Sequence, residues 1–133
     1  MGGQPDVPCG MQDFRKLRVW HRAQALAAQI HIATESQAGS GHGSWRSQLR
    51  RASGSIAANI AEGSVKGTAR HFAQYLETAI GSASETESHL DFGPRIGAIG
   101  LEQAAPLVDE VVQIRRMLIV LRRRVLEAPR DTR

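Results

Sequence analysis

The chain has one cysteine, Cys9, in 133 residues, and only 5% of its residues are aromatic. A single cysteine excludes an intramolecular disulfide and suits a reducing compartment. With so few aromatics, Ala, Leu, Ile and Val must build the interior. Long apolar runs are also missing: the longest, Met117 to Leu121, is far too short to span a bilayer. The N-terminus has neither the basic start nor the apolar centre of a secretory signal. A cytoplasmic protein without membrane association is the expectation. Catalytic signatures are missing as well. Gly39-Ser40-Gly41-His42-Gly43 lacks the Gly-Lys-Ser/Thr end of a P-loop, and no Gly-x-Ser-x-Gly elbow occurs. His21, His31, His42, His71 and His89 are scattered rather than set at zinc-binding spacing. A di-metal site in a helix bundle needs Glu-x-x-His on two helices. His89 follows Glu85 by four and Glu87 by two, and there is no second such pair. No enzyme, metal or cofactor is expected.

What the chain does have is charge of both signs, kept apart. The net charge is +4, yet residues 1–75 sum to +5, residues 76–110 to −6 and residues 111–133 to +5. Such segregation marks either a face that binds a polyanion or helices and subunits that pair by opposite charge.

Four segments carry helical periodicity. In the first, from Phe14 to Glu35 with Asp13 as N-cap, Val19, Ala23, Leu26, Ile30 and Ala33 form one stripe. Gln37 to Gly43 is a flexible glycine-rich loop. The second opens on Ser44 as N-cap, places Leu49, Ala52, Ile56, Asn59 and Gly63 on its core side, and stops at Gly63. Thr68 caps the third, whose stripe is Phe72, Leu76, Ala79, Ala83, Thr86 and Leu90. Pro94 should kink or end it, because an internal proline costs roughly 3 kcal/mol. The fourth repeats Ala104, Leu107, Val111, Ile114, Leu118, Leu121 and Val125 at alternating spacings of 3 and 4, a heptad seam. Pro129 ends it. The fold class is all-α: an up-down-up-down four-helix bundle over residues 13–128, between a disordered tail (1–12) and a flexible one (129–133). Its core of small residues buries little area per side chain, so oligomerisation is expected to support it. An apolar second stripe on the fourth helix, Val108 and Val112, offers a surface.

The stretch from Arg50 to Gly63 is the most distinctive. It pairs two arginines with small residues, Gly54 among them, and places the amide of Asn59 toward the core. A buried amide needs partners, with Ser55, Thr86 and Glu87 in reach, and can fix a bundle's register. This stretch also carries a resemblance. Asp13-Phe14-Arg15-Lys16-Leu17-Arg18-Val19-Trp20, then Gln48-Leu49-Arg50-Arg51-Ala52, Ser55-Ile56 and Asn59-Ile60-Ala61-Glu62-Gly63, then Phe72, Leu76, Ala79, Gly81-Ser82 and Glu85, resemble the proteins encoded by intervening sequences in bacterial 23S ribosomal RNA genes. The match runs over residues 13–126. The resemblance implies a four-helix bundle assembled as a barrel-like homopentamer. It is similar to the accessory protein of diversity-generating retroelements, which binds nucleic acid and a reverse transcriptase. The chain departs from the family pattern in three places: the Gln37–Gly43 loop lacks a Phe-Pro segment, Gly93-Pro94 interrupts the third helix, and Ala98 replaces an aromatic.

Two basic groups are candidates for phosphate contact, since guanidinium forks match phosphate oxygens. One comprises Arg46, Arg50, Arg51, Lys66 and Arg70, which could instead pair with Glu62, Glu85 or Glu87. The other, Arg115, Arg116, Arg122, Arg123 and Arg124, spreads over more than one helix face. Arg115, Arg122 and Arg123 are its leading candidates. A solvated helix end favoured by the helix dipole is the alternative. With so few aromatics, base stacking on rings is not expected. Gly54, Asn59, Glu62, Gly63, Gly81 and Glu85 are assigned to packing and assembly. The function read from the sequence is a non-enzymatic oligomer that binds RNA, DNA or a nucleic-acid/reverse-transcriptase complex; the alternative is a protein–protein adaptor with no nucleic-acid contact.

Overall fold

Four helices follow one another: α1 (Arg18–Glu35), α2 (Gly43–Ser64), α3 (Ala69–Arg95) and α4 (Leu101–Glu127). The computed structural model describes residues 13–35 and 41–129. The expected 1–12 tail, residues 36–40 and residues 130–133 lie outside the described residues. No strand occurs among those described.

Each helix packs only against its two neighbours, α1 on α2 and α4, α3 on α2 and α4. Paired positions fix the directions. Thr34 meets Arg50, Ser55 meets Ser82, Glu87 meets Arg115 and Arg22 meets Glu110. Along α2 and α3, Trp45 meets His89, Ser55 meets Ser82 and Gly63 lies against Tyr75, and along α3 and α4 Ala73 meets Arg122 while Glu87 meets Arg115; as one position rises the other falls, so these contacts are antiparallel and the topology is up-down-up-down.

Every residue of the heptad seam on α4 is buried. The expected stripe of α3 is buried throughout, with Gly93 added at its end. On α1, Val19, Ala23, Leu26 and Ile30 are buried, joined by Thr34; Ala33 is half-buried. Thr34 satisfies its hydroxyl within the helix by donating to the Ile30 carbonyl at 2.7 Å. Among the described residues no buried side-chain nitrogen or oxygen lacks a partner.

The ends differ from expectation in detail. Asp13 caps a short 3₁₀ turn, Phe14–Lys16, by accepting from the Arg15 amide; α1 itself begins after Leu17. Ser44 is not the cap of α2: the helix starts two residues earlier than that cap would set, at Gly43, with His42 at the capping position and no side-chain hydrogen bond there. Gly63 does not stop α2, which runs on to Ser64; the chain reverses instead at Gly67, whose φ of +88° suits a residue without Cβ. Thr68 caps α3 as expected, accepting from the His71 amide at 3.2 Å. Pro94 sits within the last turn of α3, one residue before the helix closes, and Gly97 makes the turn at φ +74°. A second internal proline, Pro106, lies early in α4. It leaves the Glu102 carbonyl without its helical donor.

Candidate nucleic-acid interface

Antiparallel packing brings the start of α1, the end of α2, the start of α3 and the end of α4 to one end of the bundle. That end carries Arg18, Lys66, Arg70, Arg122, Arg123 and Arg124, with Arg116 nearer the middle of α4. The acids gather toward the other end: Glu85, Glu87 and Asp91 on α3, and Glu102, Asp109 and Glu110 on α4. Arg46, Arg50, Arg51 and Arg95 share that second end, so the charge blocks of the sequence survive only in part as a polarity along the bundle.

The first basic group does not assemble. Arg46, Arg50 and Arg51 lie near the start of α2, and Lys66 and Arg70 lie beyond its end. At 1.5 Å per residue this separates them by roughly 20 Å along the axis. Arg50 is engaged in the fold. Its Nε donates to Thr34 Oγ1 at 2.8 Å and its Nη2 to the His31 carbonyl at 3.0 Å, so it ties the end of α1 to α2. None of the carboxylates expected for it is its partner. Arg51 is exposed. Arg46 is half-buried beside the start of α2. Lys66 pairs with Glu62 one turn back at 3.8 Å and lies over the Tyr75 ring at 5.2 Å.

The second group divides too. Arg115 is tied to Glu87 at 2.5 Å, and Arg122 donates to the Ala73 carbonyl at 3.2 Å and to Glu77 at 3.4 Å. Both join α4 to α3, so neither is a free phosphate contact. Arg123 is exposed, as are Arg116 and Arg124, which are not among the leading candidates of the sequence reading.

The residues assigned to packing and assembly take different places. Asn59 is half-buried, and its Nδ2 donates to the Ser55 carbonyl of its own helix at 2.8 Å, not to Thr86 or Glu87. The polar link between α2 and α3 is Ser55 Oγ with Ser82 Oγ. Gly54 and Gly81 face outward, where a Cβ would meet nothing within 4 Å. Gly63 is the close approach: a Cβ there would lie 2.5 Å from the Tyr75 Cβ and 3.0 Å from Phe72. Gly93 plays the same part under Trp45, whose indole lies 2.5 Å from where that Cβ would be and donates to the His89 carbonyl at 2.8 Å. Glu85 is exposed and contacts His89 at 3.4 Å. Among the described residues no three His, Cys, Asp or Glu side chains group as metal ligands.

A feature the sequence reading missed lies between α1 and α4. A cleft of about 230 Å³ is lined by Arg18, Arg116 and Arg124 and floored by Val19, Met117, Val120 and Leu121, with Gln113 at its side. No carboxylate among the described residues lines it. Below it, Arg22 binds Glu110 through Nε at 2.8 Å and Nη2 at 2.7 Å, and its Nη1 donates to Met117 Sδ at 3.4 Å. The Glu110 hydrogen bonds raise the Arg22 pKa above its ordinary value, partly offset by burial. The signal available in the sequence was the ridge Arg116, Val120, Arg124 at spacing four; its partner wall on α1 exists only in the folded chain.

Comparison with known proteins fits this architecture. Over residues 15–120 the chain matches the family described as 23S rRNA-intervening sequence protein. The crystal structure of a protein with unknown function from the S23 ribosomal protein family of Bacteroides thetaiotaomicron is similar, with 24% sequence identity and a TM-score of 0.71. The alignment covers 78% of this chain and 97% of that one. At this identity the likeness concerns the fold alone. No curated protein matches the chain in sequence. No described helix is long and apolar enough to cross a membrane.

Proposed function

Because the chain belongs to the 23S rRNA-intervening sequence protein family, we propose that it is a non-enzymatic homo-oligomer, a pentamer of four-helix bundles, that binds RNA through the arginine-rich end of each bundle. The observation that carries this reading is the set Arg70, Arg116, Arg123 and Arg124. All four are exposed, Arg70, Arg123 and Arg124 at that end and Arg116 further along α4, and none has a hydrogen bond or ion pair among the described residues. Structural roles account for Arg50, Arg115 and Arg122; they do not account for these four. Side chains of this kind neutralise phosphates and release counterions, giving affinity that is largely independent of sequence. A ring of bundles would repeat the set and multiply its effect through avidity. The outward glycines Gly54 and Gly81 leave a smooth face on which a neighbouring copy could pack.

A second reading is an adaptor that binds a protein, such as a reverse transcriptase, without touching nucleic acid. It is favoured by exposed apolar side chains at the acidic end, Phe92 at 50% and Leu101 at 72% exposure. Light scattering on the full chain, alone and mixed with a structured RNA at low salt, separates the two. The RNA reading predicts a pentameric mass that rises by bound RNA. A mass unchanged by RNA overturns it and leaves the adaptor.

A further inference from the structure

The cleft between α1 and α4 has a definite chemistry. Arg116, Val120 and Arg124 stand at spacing four on α4, so charge, apolar contact and charge follow one another along a single ridge of the helix. The two guanidinium-bearing residues are about 12 Å apart along the axis, and their side chains are long enough to converge over the residue between them. Inward of that ridge, Met117 and Leu121 continue an aliphatic floor that Val19 completes from α1. Met117 is held in place by Arg22, which Glu110 anchors. Neither Arg116 nor Arg124 has a partner among the described residues.

An occupant must therefore present anionic groups on either side of an apolar, flat or compact body. It must also be small. A helix, at about 10–12 Å across, is too wide to enter a space of about 230 Å³ and would only lie over it. A duplex keeps its bases stacked inside and offers nothing to an apolar floor. A nucleotide in a single strand meets all three demands, because its base is free to turn away from the backbone while phosphates flank it on both sides.

Resting on the RNA-binding reading, we infer that this cleft seats one nucleotide of a single-stranded nucleic acid. Its base lies on Val19, Met117, Val120 and Leu121, and its flanking phosphates are held by Arg116 and Arg124. The floor is aliphatic, so the base is held by apolar contact and not by ring stacking, which agrees with the scarcity of aromatics. Bases are distinguished weakly, and strand form strongly.

The test is fluorescence anisotropy of the full chain with a labelled oligoadenylate and with an RNA duplex of the same length. Arg116→Gln/Arg124→Gln should weaken oligoadenylate binding at least about tenfold at low salt and lower the log–log salt slope by roughly 1.4, the share of two phosphates. Val120→Trp fills the cleft without removing charge. Val120 is 38% exposed, so the larger ring is accommodated without opening the core. Val120→Trp should weaken oligoadenylate about tenfold and leave the duplex unchanged; Val120→Glu, which places a carboxylate in the cleft, should do the same. Wild-type protein that binds neither RNA at low salt overturns the RNA reading and this inference together. If wild type binds both, but Val120→Trp and Val120→Glu leave oligoadenylate affinity unaltered, this inference alone is overturned. If Val120→Trp changes the mass of the assembly with RNA affinity intact, the cleft is a contact between copies, and the inference is again overturned.

Discussion

Arg22 on α1 grips Glu110 on α4 with two hydrogen bonds, at 2.8 and 2.7 Å, across 88 residues of chain. The first and last helices of a bundle are joined by no loop, so their contact depends on side chains alone. A planar guanidinium meeting a carboxylate in a fork also fixes orientation, which an ammonium does not.

The pair is partly solvated, with Arg22 at 43% and Glu110 at 29% side-chain exposure, and this limits its strength. A double-mutant cycle with Arg22→Ala and Glu110→Ala in urea should give a coupling of about 0.5–1 kcal/mol. Arg22→Lys should recover little of it. A coupling near zero would mean that the two groups are individually solvated and do not clamp α1 to α4.

The glycines separate into two kinds with opposite expected effects. Gly63→Ala drives a methyl into Tyr75 and should destabilise the fold by about 1–3 kcal/mol. Gly54→Ala and Gly81→Ala add a methyl to open, helical positions and should stabilise the isolated bundle by up to about 1 kcal/mol. Thermal melts of the three variants check this ordering.

Larger side chains at the outward glycines test the assembly. Gly54→Leu and Gly81→Leu should keep the circular dichroism of the wild type yet lower the mass seen by light scattering, because each blocks close approach of a second copy. An unchanged mass would place the subunit contact elsewhere.

Arg50 and Arg51 are neighbours with different work. Arg50→Ala removes two hydrogen bonds from the end of α1 and should cost about 1–2 kcal/mol, with RNA affinity unchanged. Arg51→Ala should change stability by less than about 0.5 kcal/mol. Urea titration and RNA binding on the same preparations decide both points.

Much of the fold was legible because a helix buried on one side writes its stripe into the sequence. The seam from Ala104 to Val125 and the stripe from Phe72 to Leu90 are buried as the spacing required. What stayed illegible depends on where two helices cross. One helix's pattern does not say that Gly63 lies against Tyr75 while Gly54 faces outward, because that difference belongs to the neighbour. The same holds for the charges. Arg115 finds Glu87 28 residues away, and Arg50 finds a hydroxyl and a carbonyl on α1, so a cluster in sequence dissolves into separate pairs in space. Of the three partners in reach of Asn59, its amide takes Ser55 of its own helix, and the serines Ser55 and Ser82 make the link between helices. The cleft needed two walls, and only one was visible in the sequence.

Electrostatic capture of RNA by the arginine-rich end would make the affinity depend on salt. Its most direct test is the affinity of the full-chain oligomer for RNA measured across a salt series, for wild type and for the variant combining Arg70→Gln, Arg116→Gln, Arg123→Gln and Arg124→Gln. Wild type should lose log affinity steeply and linearly with log salt, and the variant should give a much shallower, weaker line. Absence of wild-type binding at low salt, or a variant with the wild-type affinity and slope, would contradict electrostatic capture.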